Sequence, residues 1–522
     1  MNGAEALIRG LTGAGVNVCF TNPGTSEMHL VQAIDGVNDM RAILCLFEGV
    51  CTGAADGYAR MRGTPACTLL HLGAGLGNGI ANLHNARRAD SPVVNLVGDH
   101  AGYHLHLDAA LTSNIRDIAQ GVSAWIRTAA TAEGLGQDAR DAVTAALAAN
   151  PQGQGNVATL MVPVDCAWGM GHAVASGSLF KQLNEVANEG VIEAVNALGS
   201  QGERSVLLLD GNGLSAEGVQ QAGRIVKKVG CRVFATTFPS RVEAGPGLFR
   251  VPAMPYFPEQ VMQTLEGVEQ LVLAGARPPV TLFAYQNTPT ELVPDGCSVV
   301  RLADRQQDVA SALKRVADAL DAPDMPDTVA HGVRPSLPEG KLTTAGIGQS
   351  VAALAPEHCI ISTDSGGGRA AYDVMQQSLR HTWLSITGGS IGQGGPVAVG
   401  AAVACPDRQV IALLGDGGAG YTLQYLWTAA RENLNIVTVI YANRAYNILE
   451  VEYQRLGINS IGDKAASLFD IGNPDLDWVA LANGYGVQAK RASTADEFTL
   501  ALEEGLRHDG PYLIEATVTG RE

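Results

Sequence analysis

Residues 409–443 read QVIALLGDGGAGYTLQYLWTAARENLNIVTVIYAN, and the fold follows from how this stretch is parsed. Gln409 to Leu414 is a short apolar run suited to a buried strand, Tyr421 to Glu432 has helical spacing, and Ile436 to Ala442 is a second buried strand. That order is one βαβ unit of a parallel sheet. Asp416 and Asn443 then both leave the carboxyl ends of their strands, where open α/β sheets bind ligands. On neighbouring strands the two backbones lie roughly 5–10 Å apart, so both side-chain oxygens can share one cation. A carboxylate and an amide oxygen suit a hard ion such as Mg2+, whose remaining positions phosphate oxygens complete. Gly417 and Gly418 let backbone N–H groups approach those phosphates, and the helix that follows points its positive end at them. The stretch reads as a Mg2+-diphosphate site, although Gly-Asp-Gly alone is also a common turn and Asn443 alone a strand-end cap.

The rest of the chain narrows the context. Its 522 residues exceed what one core usually supports, so two or three domains are expected. Lys and Arg number 35 against 52 Asp and Glu, a net charge of −17 that opposes a phosphate backbone and argues against nucleic acid as a partner. No run of roughly 18 or more apolar residues suggests a membrane span. The start, MNGAEALIRGLTGAG, lacks a basic stretch followed by an apolar one, so a cytoplasmic location is expected. Nine cysteines are scattered singly without a CxxC pair, which suits buried free thiols better than disulfides or zinc ligands.

Strand and helix patterns alternate along the whole chain, giving an α/β fold of three doubly wound parallel-sheet domains. A helix at Ala4–Leu11 precedes strands at Val16–Phe20, around Leu44, and at Leu69–Leu72, Val93–Val97 and Thr159–Val164. After the small, polar His172–Ser178 segment come strands at Ser205–Leu209, Arg232–Ala235, Gln270–Leu273 and Val299–Leu302. The Pro-rich stretch Ala322–Gly340 reads as a linker, and further strands follow at Cys359–Ser362 and Tyr512–Ala516. The expected domains are 1–178, 179–335 and 336–522.

The first domain carries Leu46-Phe47-Glu48-Gly49-Val50 followed by Ala54-Ala55-Asp56-Gly57-Tyr58-Ala59-Arg60, which places one carboxylate where an apolar strand gives way to a Gly/Ala-rich helix. By position alone Glu48 could simply complement the helix dipole. Together, however, Glu48 with its ADGYAR segment and GDG with a later Asn443 resemble the thiamine-diphosphate (ThDP) enzymes. The resemblance runs through the whole chain in the order pyrimidine-binding, middle and diphosphate-binding domains. It is nearest to benzoylformate decarboxylase and the acetolactate-synthase-like branch, through Asn22-Pro23-Gly24-Thr25, Thr68-Leu69-Leu70-His71, Gly73-Ala74-Gly75-Leu76-Gly77-Asn78, Ala109–Asn114 and Asn483–Gln488.

The resemblance implies a cofactor pair, ThDP and Mg2+, with the metal held by Asp416, Asn443 and the carbonyl of Ala445. Glu48 would hydrogen-bond the aminopyrimidine and so activate the thiazolium carbon; a charged acceptor in a dry pocket makes that bond strong. Ile391, in Gly389-Ser390-Ile391-Gly392, would hold the cofactor bent, and Asn22, Ser365, Gly366, Gly389, Gly415, Gly417, Gly418, Tyr421, Tyr446 and Asn447 would line it. Thr25 and His71 would face the substrate. A lone His at a strand end is usually a satisfied core residue, but the Gly-rich loop after His71 and the family match assign it proton relay at the carbonyl oxygen.

The implied reaction is decarboxylation of a 2-oxo acid through an enamine/carbanion intermediate, with an acetolactate-synthase-like carboligation as the alternative. Two departures argue against an aryl glyoxylate: Gly245–Arg250 has no His where benzoylformate decarboxylase supplies one, and Leu449-Glu450-Val451-Glu452-Tyr453 replaces an aromatic pocket. Asp210-Gly211-Asn212-Gly213 is a weak glycine turn, and the long FAD-binding segment of acetolactate synthase is not found. His100, His104 and His106 read as surface or substrate-channel residues rather than a metal site. The family shares each cofactor between two subunits, so a homodimer, and a homotetramer of two such dimers, is expected.

Overall fold

The computed structural model describes residues 1–148, 155–328, 332–458 and 460–518, which form three sheets flanked by helices. The first contains β1 (Val18–Asn22), β2 (Arg41–Leu44), β3 (Ala66–Leu70), β4 (Val93–Asp99), β5 (Trp125–Thr128) and β6 (Val157–Pro163). All are parallel, in the order β2-β1-β3-β4-β6-β5. Next along the chain come β7 (Ser205–Leu209), β8 (Arg232–Ala235), β9 (Val242–Ala244), β10 (Gln270–Ala274) and β11 (Ser298–Ala303). Four of these make the second parallel sheet, β11-β10-β7-β8. The third sheet is built from β12 (Cys359–Thr363), β13 (His381–Leu384), β14 (Val410–Gly415), β15 (Ile436–Ala442), β16 (Gln488–Ala492) and β17 (Tyr512–Thr517), with β9 antiparallel on its edge. Its order is β16-β17-β15-β14-β12-β13-β9.

Strands covered on both faces read as unbroken apolar runs, and β3, β4, β12 and β15 are buried at every residue. In the first sheet the chain goes from β1 to β2 on one side and then to β3 on the other, so the order reverses between β1 and β3. The third sheet reverses between β12 and β14 in the same way. Such reversals leave a crevice outside the carboxyl ends of the strands. Asn22 and His71 sit at the first crevice, Ser365 and Asp416 at the other.

The two crevices are joined by helix packing. The helix Glu48–Arg62 is buried at all but its last residue and lies against Gly394–Ala404. Only glycine permits this approach: a Cβ on Gly57 would stand 2.2 Å from the carbonyl of Val397, and one on Gly400 1.9 Å from that of Ala54. Asp56 and Arg60 of the ADGYAR segment form a buried pair at 2.6 Å, and they also bind Gln393 and the carbonyl of Ser385. That segment is a structural tie between the first and third sheets.

Several sequence expectations shift. The helix expected over Tyr421–Glu432 is shorter, Tyr425–Arg431, and a separate single turn, Asp416–Ala419, precedes the expected span. Thr422 bonds the carbonyl of Gly392 at 2.8 Å and pulls the intervening turn out of helical register. The first strand starts two residues late, at Val18, which makes Asn22 its last residue instead of the first of a turn. Strands β5, β9, β13 and β16 were not expected at all. Residues 329–331 of the expected linker lie outside the described set.

Candidate active site

At the first crevice, Glu48 opens its helix with a side chain only 7% exposed. Its Oε1 accepts from Asn22 Nδ2 at 3.3 Å and its Oε2 from Asn78 Nδ2 at 3.0 Å. A buried carboxylate held by two amides has a fixed orientation and an ionic partner-seeking face. His71 follows β3, and its Nδ1 lies 2.8 Å from Oε2 of Glu27, which is fully buried. Glu27 Oε2 also accepts the Gly24 N–H at 2.7 Å. Burial pushes the Glu27 carboxyl up, against the opposing pull of Gly24 and His71. The Asn22–Thr25 turn needs its glycine, because a Cβ on Gly24 would fall 2.3 Å from the His71 ring. Thr25, the next residue after Gly24, is exposed.

At the third-sheet crevice, Asp416 is buried, with Oδ1 accepting Gly417 N–H at 2.8 Å and Oδ2 accepting Arg444 N–H at 2.7 Å. Burial raises its carboxyl, opposed by these backbone donors. Asn443 follows β15, adjacent to β14, and its Oδ1 accepts Ala445 N–H at 3.2 Å. A Cβ at Gly417 would strike the Tyr446 ring at 2.2 Å, so that tyrosine lies over the glycine turn. Beside it, Asp364 accepts the N–H groups of Gly392 and Gly394 at 2.9 and 3.1 Å. Among the described residues, Asp364 Oδ1 and Ser365 Oγ are buried without a hydrogen-bond partner. Around Gly366 and Gly389 a Cβ would meet nothing within 4 Å. Two unpartnered oxygens, open glycines and a carboxylate beside an amide suit a hydrated divalent ion with phosphates.

Two asparagines tie the first domain's helix to the loop before Gly394–Ala404. Asn82 Nδ2 reaches the carbonyl of Gly49 at 2.8 Å and that of Gly392 at 3.5 Å, while Asn85 binds the backbone of Gly388 and Ser390. Ile391 sits in that clasped loop, with Tyr421 against Gly392. Asn447 begins a helix, Asn447–Arg455, immediately after Tyr446. By contrast, His106 is exposed, and the His100 and His104 rings lie 5.6 Å apart; no group of three or more metal-binding side chains occurs among the described residues.

Sequence reading missed Glu27, Asp364 and the Glu48 contact of Asn78. Glu27 resembles any acid in a first helical turn, and only the meeting of β3 and β4 reveals it: a Cβ at Gly98 would overlap its carboxylate at 1.8 Å.

The chain resembles proteins already described. Residues 1–120 match the N-terminal TPP binding domain of thiamine pyrophosphate enzymes, and residues 367–516 match the C-terminal TPP binding domain. A Mycobacterium tuberculosis protein named "Putative acetolactate synthase large subunit IlvX" is 47% identical over 520 residues, 99% of each chain. Benzoylformate decarboxylase of Pseudomonas aeruginosa is 30% identical over 539 residues, 96% of each chain. Among solved structures, the thiamine diphosphate-dependent 4-hydroxybenzoylformate decarboxylase of Rhodococcus jostii RHA1 superposes with a TM-score of 0.86 at 25% identity, covering both chains fully. The chain therefore belongs to the thiamine pyrophosphate enzyme family, with acetolactate-synthase-like and benzoylformate decarboxylase relatives.

Proposed function

We propose that this enzyme binds ThDP with Mg2+ and decarboxylates a 2-oxo acid. The observation that carries the reading is the pairing of a buried, amide-held Glu48 at one crevice with the Asp416–Asn443 glycine cradle at the other, clasped by Asn82. In this reading Asp416, Asn443 and the Ala445 carbonyl hold the metal, while Gly415, Gly417, Gly418, Ser365 and Gly366 receive the diphosphate. Ile391 and Gly389 would contact the cofactor's ring system, and Asn22, Tyr421, Tyr446 and Asn447 would line it. When bound, the cofactor supplies the nucleophilic carbon and the electron sink for loss of CO2.

The chain's own contribution is proton handling and water exclusion. Glu48 holds a proton at the aminopyrimidine nitrogen, and its burial keeps competing water away. His71, steadied through Nδ1 by Glu27, presents its other nitrogen and, with Thr25, gives or takes a proton at the carbonyl oxygen of the substrate. Glu27→Gln is therefore expected to lower kcat by about 10- to 100-fold with the cofactor still bound, since a misaligned imidazole loses part of its general acid–base contribution. Steady-state kinetics beside a cofactor-retention assay would check this, and an unchanged kcat would free His71 of Glu27.

The alternative, joining the intermediate carbon unit to a second 2-oxo acid, draws support from the relative named as an acetolactate synthase large subunit. A flavin-dependent version of it fits poorly. The order of the second sheet reverses between β7 and β10, and at the end of β7 Arg305 pairs with Asp210 and with Asp90 at 3.2 Å, which sets a cation bound by two acids at that crevice. Purified protein supplied with ThDP, Mg2+ and a panel of 2-oxo acids should release CO2 and free aldehyde. Acetolactate from pyruvate would favour the alternative, and no CO2 from any acid would reject both. A homodimer pairing into a tetramer, in the cytoplasm, completes the proposal; nine free cysteines suit a reducing compartment.

A further inference from the structure

The helix Asn447–Arg455 follows directly on the cofactor motif, yet its only buried residue is an acid, Glu450. Apolar burial, which ordinarily fixes a short helix, is nearly absent here. Its far end is instead gripped by the segment that carries the second sheet. The Arg455 guanidinium lies over two aromatic rings, 4.6 Å from the centre of Phe257 and 4.7 Å from that of Tyr285. It also bonds Glu259 at 2.8 Å and stands 3.6 Å from Glu452, one turn earlier. The Tyr285 hydroxyl donates to Glu452 at 2.8 Å. A third hold comes from Tyr453, whose ring packs edge-on against Phe469 at 5.8 Å.

We propose that Arg455 is a positioning residue, a latch through which the second-sheet segment orients Tyr446 and Asn447 over the glycine turn. The coupling is mechanical. Tyr446 rests on Gly417, so a helix free to swing about its first turn would lift that ring from the turn. Guanidinium stacking on two rings requires the planar fork, whereas the ion pairs with Glu259 and Glu452 require only charge. The inference rests on the functional reading for its ligand, but its structural half does not.

The test compares wild type with Arg455→Ala, Arg455→Lys and Tyr285→Phe. Hydrogen exchange of the ligand-free proteins should show lost protection across residues 446–455 in Arg455→Ala, and a smaller loss in Tyr285→Phe. ThDP affinity with Mg2+ should fall about tenfold in Arg455→Ala, with kcat restored at saturating cofactor, and Arg455→Lys should recover only part of it. Unchanged exchange and unchanged affinity in Arg455→Ala would overturn the latch, as would full rescue by lysine. If Arg455→Ala does not fold, Tyr285→Phe decides by the same two readouts. Wild type that never binds ThDP would instead reject the functional reading, and the exchange data would still judge the latch.

Discussion

Glu48→Gln should reduce turnover by at least roughly 1,000-fold while leaving the fold and the bound cofactor intact, within the range that positioned acid–base groups contribute. The substitution keeps volume and removes charge. At 7% exposure there is little water to replace the lost carboxylate, and two amide N–H donors, from Asn22 and Asn78, converge on its oxygens. A glutamine offers one acceptor where Glu48 has two, so one of those donors loses its partner, at a cost of about 1–3 kcal/mol. That is a modest fraction of the stability of a domain, and the variant should fold. What it cannot do is accept a charge-assisted hydrogen bond from the aminopyrimidine, on which activation of the thiazolium carbon is proposed to depend. The measurement is kcat on the best 2-oxo acid, with ThDP quantified after denaturation. A variant that keeps more than a tenth of wild-type turnover would remove Glu48 from the chemistry.

How much of this could be read beforehand depended on whether the signal was local. The β14–turn–β15 unit was legible because both strands are buried on each face and so spell apolar runs, and because a glycine turn advertises close backbone approach. The helix after Asp416 was misjudged because Thr422 is drawn away by Gly392, a residue 30 positions earlier. Strand β16, QAKRA, is largely exposed and has no strand-like pattern of its own; it exists because β17 offers an open edge. Strand β9 is three residues long and pairs across to another sheet, which no periodicity can announce. Glu27 and Asp364 were hidden for a related reason. Their burial is created by Gly98 and His71 in one case and by the Gly392–Gly394 turn in the other, all distant in sequence. Local residue patterns therefore exposed the anchors of the proposed site, whereas the groups that contact them became visible only in three dimensions.

Removing the charge at Asp416 should abolish metal-dependent retention of the cofactor. Asp416→Asn is the cleaner variant, because it keeps one of the two oxygens that accept the Gly417 and Arg444 N–H groups, whereas Asp416→Ala strips both. Arg444 holds a left-handed φ of 60°, and its N–H, accepted by Asp416, ties the turn between Asn443 and Ala445 to the end of β14. With one side-chain oxygen kept and the charge gone, Mg2+ loses its only anionic protein ligand in the proposed set, and affinity should drop by at least about 100-fold, exceeding the usual effect of disturbing outer partners. A Mg2+ titration of ThDP binding reads this directly; wild-type affinity in Asp416→Asn would dismiss the metal site. The same variant tests where one complete site resides. If each cofactor is shared between subunits, co-expressing Glu48→Gln with Asp416→Asn gives mixed dimers in which one site carries both lesions and the other none. Activity should then return to roughly a quarter of wild type on random pairing within a two-fold dimer. If each chain instead completes its own site, as the Asn82 clasp between Gly49 and Gly392 allows, every site in the mixture keeps one lesion and no activity returns.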